Sequence, residues 1–319
     1  MPRMFLNRLR APLRLALTGA FMGAADLVPG VSGGTVAFVA GIYEELLFAV
    51  ETVTGAVPRL LLKGAFMPAL RRVPWLFLLP LSGGMATSVF GLAHAVAWVL
   101  ATYPTALRGA FFGLVSASVV LVSRRVRSWR PKNFAAFAAA ALSAFVLCGL
   151  VPMETPSGAF PMFLSGVVAI SAMILPGISG SFILLLLGKY GQVLQAAVDR
   201  DIGTLAVFAA GCLCGVAVFS RAVRWMFAKS HDGTLVVLSG VMLGSLRRVW
   251  PWIAEFPDGS IAFGAPSVGA EGLVAMGLAA LGFAAVLAMG RFQVLAEHTG
   301  DVSPSFAAEH GAALAGDGD

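Results

Sequence analysis

Polar groups that could bind an anion lie in two short segments rich in Pro, Gly and Ser. The first break, Val28–Thr35, has the sequence VPGVSGGT, and the second break, Leu175–Ser181, has the sequence LPGISGS. Glycine lets the backbone approach a ligand closely, and Ser or Thr can donate a hydroxyl hydrogen. Successive N–H groups in such a turn can point at one negative charge. The segments therefore predict a phosphate or carboxylate site. Its residues are Pro29, Gly30, Ser32, Gly33, Gly34, Thr35, Pro176, Gly177, Ser179, Gly180 and Ser181.

A new helix is expected to start at each break, near Thr35 and near Phe182. The first four N–H groups of a helix lack an intrahelical partner, and a helix start carries about +0.5 of an elementary charge. Two such starts form a suitable site for a phosphate. The alternative is that Pro-Gly-x-Ser-Gly only permits close helix packing. Because the motif occurs twice, we favour the binding site.

The two breaks belong to a longer internal repeat. The pentapeptide PGVSG at 29–33 recurs as PGISG at 176–180, and Gly41 and Tyr43 recur at the same spacing as Gly188 and Tyr190. Further glycines recur at a second, shorter spacing, namely Gly84, Gly109 and Gly113 as Gly215, Gly240 and Gly244. Within each half, the last two of these glycines are four residues apart, which is the spacing of close helix–helix contacts in membranes. Each half is therefore one broken segment followed by two apolar segments.

The composition places these repeats in a membrane. Of the 319 residues, 58% are hydrophobic and only 12% are charged, whereas a soluble domain carries about 25% charged residues. This predicts an all-α polytopic membrane protein and excludes a soluble enzyme, a disordered chain and a disulfide scaffold. The net charge of +6 comes from basic residues between apolar segments, so no nucleic-acid partner is expected. The Cys and His spacings match no metal site, and no cofactor is expected.

Six apolar segments are long enough to be predicted as membrane spans, at 75–102, 105–123, 134–151, 204–227, 234–250 and 272–290. Two regions, Leu13–Val50 and Phe160–Val198, contain the breaks. Each arm of these regions has about 15 residues, or roughly 22 Å as helix, and falls short of a 30 Å hydrocarbon core. They are predicted to be re-entrant hairpins that enter and leave on one side. The basic segment 51–73 is either an interfacial amphipathic segment or an ordinary loop.

Counting the spans predicts that the two repeats have inverted topologies. With the N-terminus in the cytoplasm, the first hairpin enters from that side and the second from the opposite side. Only five of the 22 Lys and Arg residues then lie outside, namely Arg108, Lys189, Arg200, Arg247 and Arg248. This asymmetry agrees with the positive-inside rule, and broken helices in inverted repeats are typical of secondary transporters.

The predicted organisation is one membrane transport domain, residues 1–295, followed by a disordered cytoplasmic tail, residues 296–319. Within the domain we expect repeat one at about 12–123, a linking helix at 134–151, repeat two at about 160–250 and a last helix at 272–290. Both termini are expected in the cytoplasm.

Four charged residues are candidates for coupling or gating. Asp26 precedes the first break at membrane depth, where an acid is a functional candidate that could take up a proton. An equally weighted interpretation is that Asp26 is a structural residue that pairs with the hairpin backbone or with an Arg. Glu44 is expected at the cytoplasmic interface. Arg108 and Lys189 could attract an anionic headgroup on the outer side or snorkel to the interface. The pattern assigns no role to Arg247 and Arg248.

The two breaks and their flanks resemble a known family. Gly23–Thr35 with Gly41–Glu44, and Ala172–Phe182 with Gly188–Tyr190, are similar to the two signatures of the bacterial polyprenyl-phosphate transporter family, formerly a domain of unknown function. The resemblance covers about residues 12–290. It implies an inner-membrane flippase that returns undecaprenyl phosphate to the cytoplasmic leaflet for reuse in cell-wall synthesis. The implied partners are this lipid phosphate, membrane lipids and H⁺ or Na⁺ as the coupling ion.

Three other functions compete with this interpretation. The first break is also similar to a loop of undecaprenyl-diphosphate phosphatase, but that chemistry needs an Arg beside the Ser and an acidic cluster, and neither break contains an Arg. A transporter or channel for a small soluble anion could use the same amide groups. A membrane scaffold without a substrate would use the breaks for packing alone.

Overall fold

The computed structural model describes residues 2–28, 31–153, 155–256, 260–267 and 269–298, most of which are helical. The first half of the chain contains α1 Pro2–Asp26, α2 Gly33–Val39, α3 Tyr43–Glu51, a π-helix Thr52–Ala56, α4 Val57–Leu62, α5 Phe66–Arg72, α6 Trp75–Thr102, α7 Pro104–Arg124 and α8 Pro131–Leu147. The second half contains α9 Ala159–Ile174, α10 Gly180–Leu186, α11 Tyr190–Val198, α12 Ile202–Lys229, α13 His231–Ser245, a 3₁₀ helix Leu246–Val249, strands β1 Ile253–Glu255 and β2 Ile261–Phe263, and α14 Ala270–His298.

Local sequence explains where several helices begin. Pro104 is the first residue of α7, a position where its missing N–H costs nothing. Ser230 caps α13 by accepting from Gly233 N at 3.1 Å, and Asp201 caps α12 by accepting from Thr204 N at 3.1 Å. These caps fix the helix starts that follow each connecting segment.

Four helices in the described part of the chain are long and apolar enough to cross a membrane, namely α6, α7, α12 and the Ala270–Arg291 part of α14. A fifth candidate is the pair α10 and α11, bent by 107°. The predictions of membrane-spanning helices at 75–102, 105–123, 204–227 and 272–290 are thus confirmed by length and composition.

The other two predicted spans are shorter than expected. α8 has 17 residues and α13 has 15, so as helices they are roughly 25 and 22 Å long. Gly149 and Pro152 follow α8, and Pro251 follows the 3₁₀ helix that extends α13. Because proline disfavours helical conformation in the residue before it, neither helix can continue.

Equivalent helices pack together in the two halves. In the first half α1 packs along α6, and in the second half α9 packs along α12 in the same way. Likewise α7 packs along α14, and its counterpart α13 packs along α8. A methyl group on Gly113 would collide with Ala279 O, and one on its counterpart Gly244 would collide with Ala141 O. The predicted contact role of these repeated glycines is confirmed.

A second pair of repeated glycines divides the predicted hairpin arms. Gly41 follows α2 with φ of 74° and Gly188 follows α10 with φ of 66°, a left-handed conformation that glycine adopts without steric cost. Each predicted second arm of about 15 residues is therefore two helices, of 7 and 9 residues in both halves. The expectation of one continuous second arm was wrong because the left-handed glycine ends the helix. The first arm of the first region was also predicted too short, since α1 has 25 residues rather than about 15.

Three further segments extend or correct the sequence predictions. Segment 51–73 is mostly helical, with exposed Leu62, Phe66 and Met67. The all-α expectation missed the antiparallel pair β1–β2, in which Ile253 lies opposite Phe263. The predicted tail, 296–319, overlaps α14 up to His298; the remainder lies outside the described residues.

Candidate anion site at the two helix breaks

At the first break, the chain's own side chains bind the start of α2. The carboxyl of Asp26 accepts a hydrogen bond from Gly33 N at 2.7 Å, and Ser32 Oγ accepts one from Gly34 N at 3.1 Å. Thr35 N donates to Ser32 O at 3.0 Å. The expected bare N–H groups are therefore already partnered at this break. Asp26 contacts the hairpin backbone, which was one of the two interpretations of this acid; proton uptake stays a prediction.

Two buried oxygen atoms at the first break have no partner among the described residues. Thr35 is fully buried, and among the described residues neither its Oγ1 nor Asp26 Oδ2 has a hydrogen-bond partner. Leaving a buried polar group unpaired costs about 1–3 kcal/mol, so such groups need a physical explanation. They are available to a bound molecule. The predicted site residues Pro29 and Gly30 lie outside the described residues.

The second break has no equivalent carboxyl. Met173 stands where the first copy has Asp26, and within the described residues the side chain of the N-cap residue Ser179 makes no hydrogen bond to the start of α10. The hydroxyls of Ser179 and Ser181 bond each other at 2.7 Å. Gly177 has φ of 97°, which turns the chain between Pro176 and α10. In the described part of the chain, the start of α2 is therefore capped by a side chain, whereas the N-cap residue of α10 provides no such cap.

The structure brings the two breaks into direct contact. Ser32 Oγ donates to Met173 O at 3.3 Å, and Tyr43 Oη donates to Ile174 O at 2.9 Å. These carbonyls end α9, where they lack intrahelical donors. Side chains at and just after the first break therefore complete the hydrogen bonding of the carbonyls that precede the second break. Sequence reasoning used Tyr43 only as a repeat position, although a tyrosine in an apolar helix signals a buried partner for its hydroxyl.

The end of α13 also contacts both breaks, which the sequence did not indicate. Val249 of the 3₁₀ helix is buried in one cluster with Val28 and Val31 of the first break. A methyl group on Gly177 of the second break would lie 2.5 Å from Ser245 Oγ. The segment that carries Arg247 and Arg248 is therefore adjacent to the candidate site.

The remaining charged candidates make structural contacts. Glu44 Oε1 lies 3.3 Å from His231 Nε2 and so joins α3 to α13. Arg108 donates to Ile253 O at 3.3 Å, which joins α7 to β1. Lys189 is fully buried, and its Nζ donates to Pro156 O at 2.8 Å and Gln192 Oε1 at 3.0 Å. The expectation that Lys189 snorkels was wrong, because backbone carbonyls and an amide already bind its ammonium group.

A cavity among the described residues lies elsewhere and is less suited to a phosphate. It has a volume of about 660 Å³, and its lining includes Gln192, Asp199, Asp201 and Thr204. Hydrogen bonds from Thr204 hold the pKa of Asp201 below its usual value, so this carboxylate stays ionised. A cavity with two carboxylates repels an anion.

The sequence has relatives among known proteins. A family model described as undecaprenyl phosphate translocase-like matches residues 22–258, which include both breaks. The polyprenyl-phosphate transporter of Vibrio cholerae is 39% identical over 236 residues, covering 74% of this chain and 77% of the relative. The polyprenyl-phosphate transporter of Staphylococcus aureus is 28% identical over 253 residues, covering 74% of this chain and 85% of the relative. No solved structure has a significant match.

Proposed function

Because the chain belongs to the undecaprenyl phosphate translocase-like family, we propose that it transports a polyprenyl phosphate, specifically undecaprenyl phosphate, across the bacterial inner membrane. The transport returns the carrier lipid to the cytoplasmic leaflet for reuse in cell-wall synthesis. The relatives from both organisms are named as transporters rather than hydrolases, and the protein is accordingly a non-enzymatic lipid transporter.

The contact between two broken helices is the observation that carries this proposal. A phosphate monoester has a charge of about −1.5 to −2 at neutral pH and needs donors wherever it leaves water. Within the described residues, the start of α10 has no side-chain cap and the Thr35 hydroxyl has no partner, so both supply donors inside the protein. The isoprenoid tail is apolar and needs no such site, so only the headgroup has to pass through the protein.

The proposed mechanism is alternating access between two inverted repeats. The equivalent helix pairs α1–α6 and α9–α12 support two structurally similar halves. The excess of Lys and Arg on one side of the predicted topology supports opposite orientations, with both termini cytoplasmic. Two related halves can exchange conformations, which would expose one central site to each leaflet in turn.

Asp26 is the proposed coupling group. Its carboxyl binds Gly33 N, the type of donor that the phosphate also needs. When Asp26 takes up a proton, its negative charge no longer competes with the phosphate for the start of α2. Proton uptake would thus accompany binding at the first break, and Na⁺ is the alternative coupling ion.

Proteoliposomes that contain a short-chain polyprenyl phosphate in both leaflets test this function. A soluble phosphatase added outside hydrolyses only the outer-leaflet lipid when no transporter is present. With this protein, we expect hydrolysis to proceed to nearly all of the lipid. Hydrolysis that stops at the outer-leaflet fraction, together with efflux of inorganic phosphate from loaded vesicles, would instead identify a small-anion transporter.

A further inference from the structure

Two short helices before α6 contribute almost nothing to the protein interior. α4, Val57–Leu62, and α5, Phe66–Arg72, are joined by a turn in which Gly64 has φ of 73°. We call residues 57–72 the basic hairpin. Within the described structure, no residue of α4 and only Ala69 of α5 is buried. Helices of this length are marginal in water without a surface to pack on. The basic hairpin therefore needs support from something other than the described protein core.

The exposed side of the basic hairpin is strongly apolar. Its large exposed apolar side chains are Leu61, Leu62, Phe66, Met67 and Leu70. Leu62 is 89% exposed. Apolar side chains concentrated in this way mark a surface that contacts another protein or a membrane.

The same hairpin is positively charged and contains no acid. Its cations are Arg59, Lys63, Arg71 and Arg72, all of them exposed. The chain has no Asp or Glu from residue 52 to residue 153. Within the described residues, none of the four cations forms an ion pair. Exposed apolar groups combined with unpaired cations are complementary to an interface that offers hydrocarbon beside negative charge, as an anionic lipid leaflet does.

Both ends of the basic hairpin are attached to membrane helices. Before α4, Glu51 forms an ion pair with Arg224 of α12. After α5, Trp75 Nε1 donates to Leu70 O at 2.8 Å. Trp75 is the first residue of the candidate span α6, and tryptophan is enriched where spans meet the headgroup region. The basic hairpin therefore lies at the end of a span, where lipid headgroups are the available partners.

We propose that the basic hairpin is an interfacial anchor that binds anionic phospholipids of the cytoplasmic leaflet. Its apolar side chains enter the hydrocarbon edge, and its four cations bind the phosphodiester headgroups. Each Lys or Arg near an anionic membrane strengthens binding by about fivefold, and salt screens the attraction. This surface is separate from the candidate anion site at the two breaks, and its partner is the ordinary lipid of the bilayer. The anchor holds the start of α6, against which α1 packs, at a fixed depth.

The depth of Leu62 tests the insertion. Leu62→Cys is made in the full-length protein after its three native cysteines are replaced by alanine, and the new cysteine carries a fluorescent label. In proteoliposomes that contain phosphatidylglycerol, we expect a nitroxide on the lipid acyl chain to quench this label and aqueous iodide to leave it bright. Ser128→Cys is the control, because Ser128 is exposed in the segment between α7 and α8 on the same predicted side. Its label should be quenched by iodide and not by the acyl-chain nitroxide.

The role of the cations is tested by lipid selectivity. Energy transfer from tryptophan to pyrene-labelled lipids measures the preference of the reconstituted protein for phosphatidylglycerol over phosphatidylcholine. The double variant Arg59→Gln/Lys63→Gln should lower this preference by about fivefold or more at low salt, and high salt should remove the difference from wild type. The matched control Arg130→Gln/Lys132→Gln removes two exposed cations from the same predicted side. It should lower the preference less, because these residues lie outside the basic hairpin.

Two results would overturn the anchor. If iodide quenches the labels at positions 62 and 128 equally, the basic hairpin lies in water and its apolar side is left for a protein partner. If the two double variants lose the same lipid preference, the cations of the basic hairpin do not select anionic lipid. Neither result bears on the proposed transport, because no polyprenyl phosphate takes part in these measurements.

Discussion

Removing the hydroxyl of Tyr43 tests whether the contact between the two breaks stabilises the protein. Tyr43 is 3% exposed, and its Oη donates to Ile174 O at 2.9 Å. In Tyr43→Phe, the ring keeps its packing against Phe38, whose centre is 4.7 Å away. The change therefore deletes one hydrogen bond and leaves a buried carbonyl at the end of α9 without its donor.

The expected loss follows from that single bond. An unsatisfied buried acceptor costs about 1–3 kcal/mol. We expect the thermal unfolding midpoint in detergent to fall by roughly 2 to 5 °C, by the usual relation between free energy and midpoint for large domains. Midpoints measured by tryptophan fluorescence at several heating rates provide the assay, since membrane proteins often unfold irreversibly.

The repeat provides a matched control for this experiment. Tyr190 is the counterpart of Tyr43 in the second half, but it is 41% exposed. Tyr190→Phe should leave the midpoint unchanged. If the two variants unfold at the same temperature, the hydrogen bond between Tyr43 and Ile174 contributes nothing, and the contact between the two breaks does not stabilise the protein.

Three further predictions concern the breaks and the buried lysine. Gly33→Ala should strongly reduce lipid phosphate transport, because its methyl group would lie 2.7 Å from Asp26 Oδ2. The control Gly83→Ala should not reduce transport, because its methyl group meets open space. Equal transport rates in the two variants would contradict the importance of Gly33. Asp26→Asn should abolish the pH dependence of transport measured in proteoliposomes, and an unchanged pH profile would remove Asp26 from the coupling step. Lys189→Met should lower the unfolding midpoint, because it leaves Thr155 O and Pro156 O without their donor. The same change should leave the affinity for farnesyl phosphate within about twofold of wild type. A loss of affinity at unchanged stability would instead restore the binding role that the sequence suggested for Lys189.

The class of protein and the position of its breaks were accessible from sequence, because both depend on local properties. Hydropathy alone located the helices α6, α7, α12 and α14 to within a few residues, except that α14 extends to His298. The motif Pro-Gly-x-Ser-Gly located both breaks. The second interruption, after α2 and after α10, was present in the sequence as the repeated Gly41 and Gly188, but a glycine pair alone does not reveal a left-handed conformation.

The roles of charged residues were less predictable, because a side chain's partner depends on packing between distant segments. Asp26 and Met173 occupy equivalent positions in the repeat, so the repeat does not indicate a partner for Asp26. The hydrogen bond from Gly33 N to Asp26 becomes visible only in the folded first break. Lys189 was expected at a surface and is fully buried. The Pro156 carbonyl that binds it belongs to the segment before α9, more than thirty residues earlier in the chain.

By itself, the sequence determined that this is a helical membrane protein with two copies of a broken segment, since apolar length, proline and glycine act on the backbone nearest to them. Only the tertiary structure decided that, among the described residues, the carboxyl of Asp26 binds the start of α2 while Ser179 leaves the start of α10 without a side-chain cap. It also decided that Arg247 lies over the Phe145 ring and Arg248 over the Phe182 ring. The physical reason is that hydrogen bonds and cation–π contacts require proximity in space, and packing brings residues from both halves of the chain to one place.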